Sequence, residues 1–260
     1  MTDSTSYDDY VQDHTFMRDY LDYQARYSSQ VRESDRVIIE RVHKIRGDRL
    51  GRGGGEPVIL DLGCSTGNLL RHLLQAIGGG TFIGADLSEA ALDECRKDPA
   101  LATATFQNMD IVKLDAESSF DVIIVNAVLY MMSDDEFEKS LRGLARALTP
   151  SGEIIVFDFF HDYTQDLAIK ERSASHPDGL MLHFRPMRQV GPLLEREGFS
   201  DVRFEPFEIP IDLERGQTFG SNQSGFEDLN SYTIRTDEGR RLLFRGALYQ
   251  PWCHLFARKN

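Results

Sequence analysis

The stretch that decides the fold is VILDLGCSTGN, residues 58–68. It opens with an apolar run, which is typical of a strand buried on both faces. Asp61 follows this run, and Gly63 and Gly67 come after it. Beyond the stretch, apolar side chains recur at the helical spacing i, i+3 and i+4 until Gly78 ends the pattern. The sequence here therefore predicts a strand, a tight glycine loop and a helix.

Such a loop admits a ligand close to the backbone, because glycine has no side chain and the first N–H groups of the helix lie nearby. The pattern is not the G-x-G-x-x-G of dinucleotide enzymes, since Ser65 stands between Gly63 and Gly67. The acidic Asp61 before the loop favours a ligand with a cationic group over a pyrophosphate. A tight turn in another kind of α/β protein is the alternative interpretation of this stretch alone.

The chain downstream of the loop repeats the alternation of strand and helix. Polar side chains close the next three predicted strands, which are residues 81–86, 104–110 and 120–126, and a fifth strand is predicted at residues 153–159. Short connections between strands and helices predict a mostly parallel sheet covered by helices. Open sheets of this kind bind ligands at the carboxyl ends of their strands. We therefore expect the polar strand ends to form one site.

Composition limits the class of protein. The chain has 260 residues and a formal net charge of −13, which argues against non-specific binding to nucleic acid or anionic membranes. Its three cysteines form no C-x-x-C pair, so we expect a reducing compartment and no metal site. The first ten residues are polar and acidic, unlike a leader peptide, and no apolar run approaches the about 20 residues of a membrane span. A cytoplasmic protein without a membrane partner is expected.

The N-terminal segment is polar but rich in aromatic residues. Phe16, Tyr20, Tyr23 and Tyr27 fall on one face of a predicted helix. Two interpretations remain open for this face. It packs permanently on the main domain, or it forms a lid whose rings enclose a positively charged ligand through cation–π contacts.

Two further regions, residues 160–185 and 212–245, are irregular and rich in polar side chains. We expect both to be insertions in the main domain. The predicted organisation is a helical cap or lid over residues 1–50 and the main domain over residues 51–260.

From Val58 to Phe160 the sequence resembles the class I S-adenosylmethionine-dependent methyltransferases, whose first motif is [D/E]-x-G-x-G-x-G. Ser65 replaces the middle glycine of that motif. The resemblance implies an α/β, Rossmann-like fold with a mostly parallel seven-stranded sheet, helices on both faces, an antiparallel last strand and an N-terminal helical cap. It also implies S-adenosyl-L-methionine as cofactor and methyl transfer to an oxygen or nitrogen atom of a small-molecule acceptor.

The resemblance assigns the cofactor contacts to the glycine loop, to the acidic strand ends and to an N-terminal segment near the methionine carboxylate. These residues are Tyr27, Arg32, Asp61, Gly63, Cys64, Gly67, Asp86, Leu87, Met109, Asp110 and Asn126. Within this set, Asp61 helps to hold the amino group of the methionine moiety. Asp86 accepts from the ribose hydroxyls and Asp110 from the adenine amino group.

Two residues are candidates for a catalytic role. Tyr130 follows the fourth strand, where members of the family often carry a histidine. His161 and Asp158 close the fifth strand, which would place a base near an acceptor that must lose a proton. His14 and His183 are more distant. A lone histidine is more often structural than catalytic, so Tyr130 and His161 remain hypotheses.

Two other functions are open. The D-L-G-C-S loop is shared with carboxy-S-adenosylmethionine enzymes of wobble-uridine modification, although the acidic composition argues against a tRNA partner. A non-catalytic module that has kept the adenosyl-ligand pocket is the second alternative. A dehydrogenase is disfavoured by the absence of G-x-G-x-x-G.

Overall fold

The structure is a computed structural model that describes residues 24–26, 29–171, 180–208, 231–235, 239, 241–245 and 250–260. The predictions for His14, for Tyr27, for the aromatic face of the N-terminal segment and for most of residues 212–245 lie outside these residues. The chain divides into two compact units, Met1–Phe207 with Pro251–Asn260 and Glu208–Gln250.

The first unit is built on a twisted sheet whose central path is β3-β2-β1-β4-β5-β11-β8. The first five strands of the path are parallel, whereas β11 pairs antiparallel with β5 and β8. The strands are β1 (Val58–Leu62), β2 (Thr81–Asp86), β3 (Thr105–Asn108), β4 (Phe120–Asn126), β5 (Leu148–His161), β8 (Phe199–Pro206) and β11 (Trp252–Lys259). The predicted seven-stranded path with an antiparallel last strand is confirmed.

A hairpin extends the sheet beyond this path. It consists of β6 (Leu167–Glu171) and β7 (Leu180–Pro186), which pair antiparallel, and β7 also pairs with the end of β5. The second unit contains its own antiparallel pair, β9 (Ser231–Arg235) and β10 (Arg241–Arg245).

Helices cover both faces of the central sheet, as predicted. They are α1 (Glu33–Gly51), α2 (Asn68–Ile77), α3 (Glu89–Lys97), α4 (Asp134–Ala147) and α5 (Met187–Arg196). Buried side chains of α1, α2 and α3 share one apolar cluster, and those of α4 and α5 share another. Removal of this apolar surface from water is the main favourable term in folding such a domain. No helix among the described residues is long and apolar enough to cross a bilayer.

The third strand is shorter than its sequence predicts. It ends at Asn108, so Met109 and Asp110 lie beyond it. The Asp110 carboxylate accepts a hydrogen bond of 2.8 Å from the N–H of Val112 and caps the short turn Ile111–Lys113. A carboxylate here competes with strand pairing by bonding to the local backbone.

Candidate functional site

A cavity of about 190 Å³ lies at the carboxyl ends of β1, β2 and β4. Its walls come from the start of α1, the glycine loop, the ends of β2 and β4, and the turn after β4. The residues predicted to contact the cofactor that line it are Arg32, Asp61, Gly63, Cys64, Asp86, Leu87, Met109 and Asn126. The fold therefore brings most of the predicted set to one place.

The glycine loop is held close to the turn after β4. Gly63 has φ +85°, and a Cβ atom added there would lie 2.4 Å from Cγ2 of Val128. The N–H groups of Gly63 and Cys64 both donate to the carbonyl of Ala85, at 2.7 and 2.9 Å. Ser65, which replaces the middle glycine of the motif, also has a positive φ of 49°. The loop thus keeps a left-handed conformation at Ser65, where a side chain makes it costly.

Asp86 is fixed at the end of β2 by backbone donors on both sides. Its Oδ2 accepts from the N–H of Ser65 and its Oδ1 from the N–H of Ser88, each at 2.8 Å. Burial raises the pKa of this carboxyl, and the backbone hydrogen bonds oppose that rise. Asp86 therefore has a defined orientation against the cavity.

Asp61 is 2% exposed and lines the same cavity. Burial, followed by the charges of Asp35 and Asp86, raises the pKa of Asp61 to about 8. No lysine, arginine or histidine in the described part of the chain forms an ion pair with it. A cationic group that enters the cavity would stabilise the ionised form of Asp61.

Asp35 also lines the cavity, although its sequence context does not predict this. It lies in the first turn of α1, where an acidic residue is expected on helix-dipole grounds alone. Its carboxylate is buried and accepts from Nδ2 of Asn126 at 3.2 Å. Burial raises the pKa of Asp35, and Arg32 opposes that rise. The pairing with Asn126 joins residues 91 positions apart, so no local signal predicts it.

The N-terminal side of the cavity is closed by a small hydrogen-bond network. Nη2 of Arg32 donates to Oε1 of Gln24 at 3.1 Å, and Nδ2 of Asn68 donates to the same oxygen at 2.8 Å. Asn68 also donates to the Gln24 carbonyl at 3.2 Å. All three residues line the cavity. Of these residues, Arg32 was predicted from the sequence, whereas Gln24 and Asn68 were not.

Two hydroxyls of the glycine loop are buried at the cavity without a described hydrogen-bond partner. Oγ of Ser65 and Oγ1 of Thr66 are buried and have no hydrogen-bond partner among the residues that the structure describes. Both residues line the cavity. Because burial of an unpaired hydroxyl costs free energy, these atoms suit a polar ligand in the cavity.

Three predicted residues do not line the cavity. Gly67 precedes α2 with φ +71°, and a Cβ there would meet Leu101 at 2.7 Å. Asp110 caps its own turn, as described above. His161 is 1% exposed, and its Nε2 lies 3.0 Å from the carbonyl of Phe184. Tyr130, in contrast, lines the cavity.

Asp158 supports the turn that carries Tyr130. Its Oδ2 accepts from the N–H groups of Val128, Leu129 and Tyr130 at 3.2, 2.7 and 3.3 Å. Burial raises the pKa of Asp158 to about 6, and backbone hydrogen bonds and the charge of Arg185 oppose that rise. Asp158 therefore orders the cavity wall, since its carboxylate is directed at the backbone.

Arg185 of β7 supports the same turn from its carbonyl side. It donates to the carbonyls of Leu129 and Met132 at 3.2 and 2.5 Å, and its guanidinium lies 4.2 Å from the ring centroid of Phe137. Strand β7 thus supports the cavity wall from outside, a contact that no local sequence pattern indicates.

Comparison with known proteins agrees with this geometry. Residues 59–152 match a family described as a methyltransferase domain. A tRNA N(3)-methylcytidine methyltransferase of Schizosaccharomyces pombe is 30% identical over 139 residues, which is 49% of this chain and 45% of that protein. The ubiquinone/menaquinone biosynthesis C-methyltransferase UbiE of Klebsiella pneumoniae is 26% identical over 184 residues, 68% of each chain. The chain thus spans less than half the length of the first relative.

The fold also has a solved counterpart. The 1,6-didemethyltoxoflavin-N1-methyltransferase of Burkholderia thailandensis superposes with a TM-score of 0.53 at 16% identity, covering 96% of this chain and 87% of that one. At this identity the likeness concerns the fold alone.

The sheet order, the glycine loop and the family match agree with one class of protein. Residues 59–152 match a methyltransferase domain, and the chain is similar to class I S-adenosylmethionine-dependent methyltransferases. S-adenosyl-L-methionine is the cofactor of these enzymes. The cavity fits it, because buried carboxylates and unpaired hydroxyls there suit a cationic and polyhydroxylated molecule.

Proposed function

We propose that this protein transfers a methyl group from S-adenosyl-L-methionine to an oxygen or nitrogen atom of a small-molecule acceptor. The observation that carries the proposal is the cavity in which Asp61 and Asp86 flank the glycine loop. The cofactor supplies an electrophilic methyl group on a sulfonium. Asp61 holds the amino group of its methionine moiety, and Asp86 accepts from the ribose hydroxyls. Arg32 is the matching partner for the methionine carboxylate.

Alignment accounts for much of the rate in this proposal, because an in-line displacement gains from proximity and orientation. Tyr130 lines the cavity and meets the acceptor. His161 is buried, its Nε2 lies 3.0 Å from the carbonyl of Phe184, and it is not among the residues that line the cavity. We therefore assign the acceptor-facing role to Tyr130 rather than to His161. Asp35 and Asn126 also line the cavity, at its floor.

The alternative of carboxy-S-adenosylmethionine is less well supported. The additional carboxylate of that cofactor calls for a second cationic partner. Among the described residues that line the cavity, Arg32 is the basic residue and Asp35, Asp61 and Asp86 are the acidic ones. The net charge of −13 likewise favours a small molecule over tRNA. Three unpaired, buried cysteines support a reducing, cytoplasmic location.

The test is a two-stage measurement on the full-length protein. S-adenosylhomocysteine should bind in calorimetry and raise the melting temperature; a hundredfold excess over Kd corresponds to about 2.7 kcal/mol. Tritiated methyl transfer into a metabolite extract should then label a small molecule. Binding without labelling of any fraction would favour the non-catalytic module, and labelling of RNA would favour the tRNA alternative. No heat and no melting shift would contradict the proposal itself.

A further inference from the structure

Five aromatic rings form a continuous cluster beside the cofactor cavity. We call this cluster the aromatic wall; it consists of Tyr130, Phe157, Phe159, Phe207 and Trp252. The Trp252 ring stacks on Phe157 with centroids 4.8 Å apart and planes at 8°, and its centroid lies 4.2 Å from that of Phe159. Tyr130 meets Phe159 at 5.2 Å, and Phe207 meets Phe157 edge-on at 5.4 Å.

The sheet places the wall directly next to the cavity. Tyr130 belongs to both, since it also lines the cavity. Phe157 of β5 is the register partner of Asn126, which lies at the cavity floor. Trp252 opens β11 and pairs with Phe159. Because β11 runs antiparallel to β5, its first residue lies at the same edge of the sheet as the cavity.

The wall is only partly covered. Phe157 and Phe159 are buried, whereas Tyr130, Phe207 and Trp252 each keep an intermediate exposure. Partly exposed aromatic rings beside a ligand-binding edge offer apolar and aromatic surface to a planar ligand.

The charges around the wall select against anions. No arginine or lysine of the described chain lies over a ring of the wall. His254 contacts Phe157 and Phe207, and burial lowers its pKa, so it is neutral near pH 7. The charged residues that line the adjoining cavity are Asp35, Asp61, Asp86 and Arg32, and the proposed function pairs Arg32 with the methionine carboxylate. An anionic acceptor would find no described cation to pair with at the wall.

We propose that the methyl acceptor is a planar aromatic molecule without negative charge, which stacks on the aromatic wall with its nucleophilic atom toward Asn126 and Tyr130. This inference rests on the proposed function. The aromatic wall supplies affinity and orientation, and the adjoining cavity supplies the methyl group.

The test uses three matched probes on the full-length protein saturated with S-adenosylhomocysteine. They are 2-naphthol, which is planar and neutral, its saturated analogue decahydro-2-naphthol, and the anionic 2-naphthoate. Calorimetry should show 2-naphthol binding at least tenfold more tightly than either counterpart. Trp252 is the chain's one tryptophan, so its fluorescence, corrected for absorption by the probe, should change saturably with the same Kd.

Substitutions test whether 2-naphthol binds at the aromatic wall. Trp252→Leu should weaken 2-naphthol binding at least tenfold with the Kd of S-adenosylhomocysteine unchanged, and Trp252→Phe should retain most of the binding. Phe204→Leu is the matched control, since Phe204 is a partly buried ring that packs on Phe160 outside the wall. If Trp252→Leu does not fold, Trp252→Phe and the three-probe comparison decide.

Equal binding of the three probes, or no loss in Trp252→Leu, would overturn the aromatic acceptor while cofactor binding stands. Failure of S-adenosylhomocysteine to bind would instead overturn the proposed function, so the two failures are distinguishable.

Discussion

Oδ2 of Asp86 accepts a hydrogen bond of 2.8 Å from the backbone N–H of Ser65. This contact joins the end of β2 to the glycine loop, whose Ser65 has a left-handed φ. The carboxylate proposed for the ribose and the loop proposed for the methionine moiety are therefore one structural unit. Loss of either partner should disturb both functions.

Asp86→Ala should weaken binding of S-adenosylhomocysteine at least tenfold. The variant loses a charged acceptor, and hydrogen bonds to charged groups contribute about 1.5–3 kcal/mol each. Calorimetric Kd values of folded protein are the measurement. Asp135→Ala is the control, because the Asp135 side chain is 78% exposed on α4 and pairs with Lys139. An unchanged Kd in Asp86→Ala would remove Asp86 from the cofactor site.

Binding of the cofactor product should release a proton near pH 7. The pKa of Asp61 is raised to about 8 in the free protein, mainly by burial. The ammonium group of S-adenosylhomocysteine would favour the ionised carboxylate and lower that pKa. The calorimetric enthalpy at pH 7 should therefore differ between phosphate and Tris buffers, and Asp61→Asn should remove the difference. Equal enthalpies for the wild type in both buffers would contradict this role.

The raised pKa of Asp61 also predicts that the free energy of unfolding depends on pH. Because the folded-state pKa of Asp61 is raised, its stabilising contribution is complete below its unfolded pKa of about 4 and is lost as the pH rises through 8. The loss is at most about 1.4 kcal/mol per pH unit in that window. Urea unfolding should show Asp61→Asn gaining stability relative to the wild type between pH 5 and pH 9. A constant difference would show that burial does not perturb Asp61.

Gly63→Ala should destabilise the protein by about 2 kcal/mol or more and abolish binding of S-adenosylhomocysteine. Alanine at this position would have to keep the left-handed φ, and its methyl group would meet Cγ2 of Val128 at 2.4 Å. Urea unfolding and calorimetry measure the two effects. Gly47→Ala is the matched control, since a Cβ there meets no atom within 4 Å and α1 favours alanine over glycine. Similar behaviour of the two variants would refute the close approach of the loop.

Arg185→Ala should cost about 3 kcal/mol or more of unfolding free energy. It removes a buried cation that bonds to the Leu129 and Met132 carbonyls and leaves both without this donor. Affinity for S-adenosylhomocysteine should fall as well, since the turn lines the cavity. Arg196→Ala should stay within about 1 kcal/mol, because the half-exposed Arg196 pairs with Glu138 at the surface. Equal losses of unfolding free energy in Arg185→Ala and Arg196→Ala would show that Arg185 does not order the turn.

Gln24→Ala should raise the Kd of S-adenosylhomocysteine severalfold with little effect on stability. Its side chain accepts from Arg32 and Asn68, and each bond is worth about 0.5–1.5 kcal/mol. Calorimetry on Gln24→Ala and on Gln75→Ala, an exposed glutamine of α2, is the measurement. Impairment of Gln24→Ala alone would show that Gln24 supports the cofactor site, and an unchanged Kd in both variants would contradict this.

The sequence by itself determined the strand, glycine loop and helix of residues 58–77, because glycine positions and apolar spacing act within a few residues. It also placed Asp61, Asp86 and Asn126 at strand ends, and parallel strands bring such ends to one edge. Asp110 was predicted to contact the cofactor in the same way, but it does not line the cavity, because β3 ends two residues earlier and the carboxylate caps its own turn.

Only the tertiary structure decided which distant residues complete the site. Asp35 reaches Asn126 across 91 positions, and Arg185 reaches Met132 across 53. The aromatic wall likewise combines the turn after β4 with β5 and the start of β11. The periodicity of one segment contains no information on which other segment packs against it, since that pairing is set by how all the buried surfaces fit together.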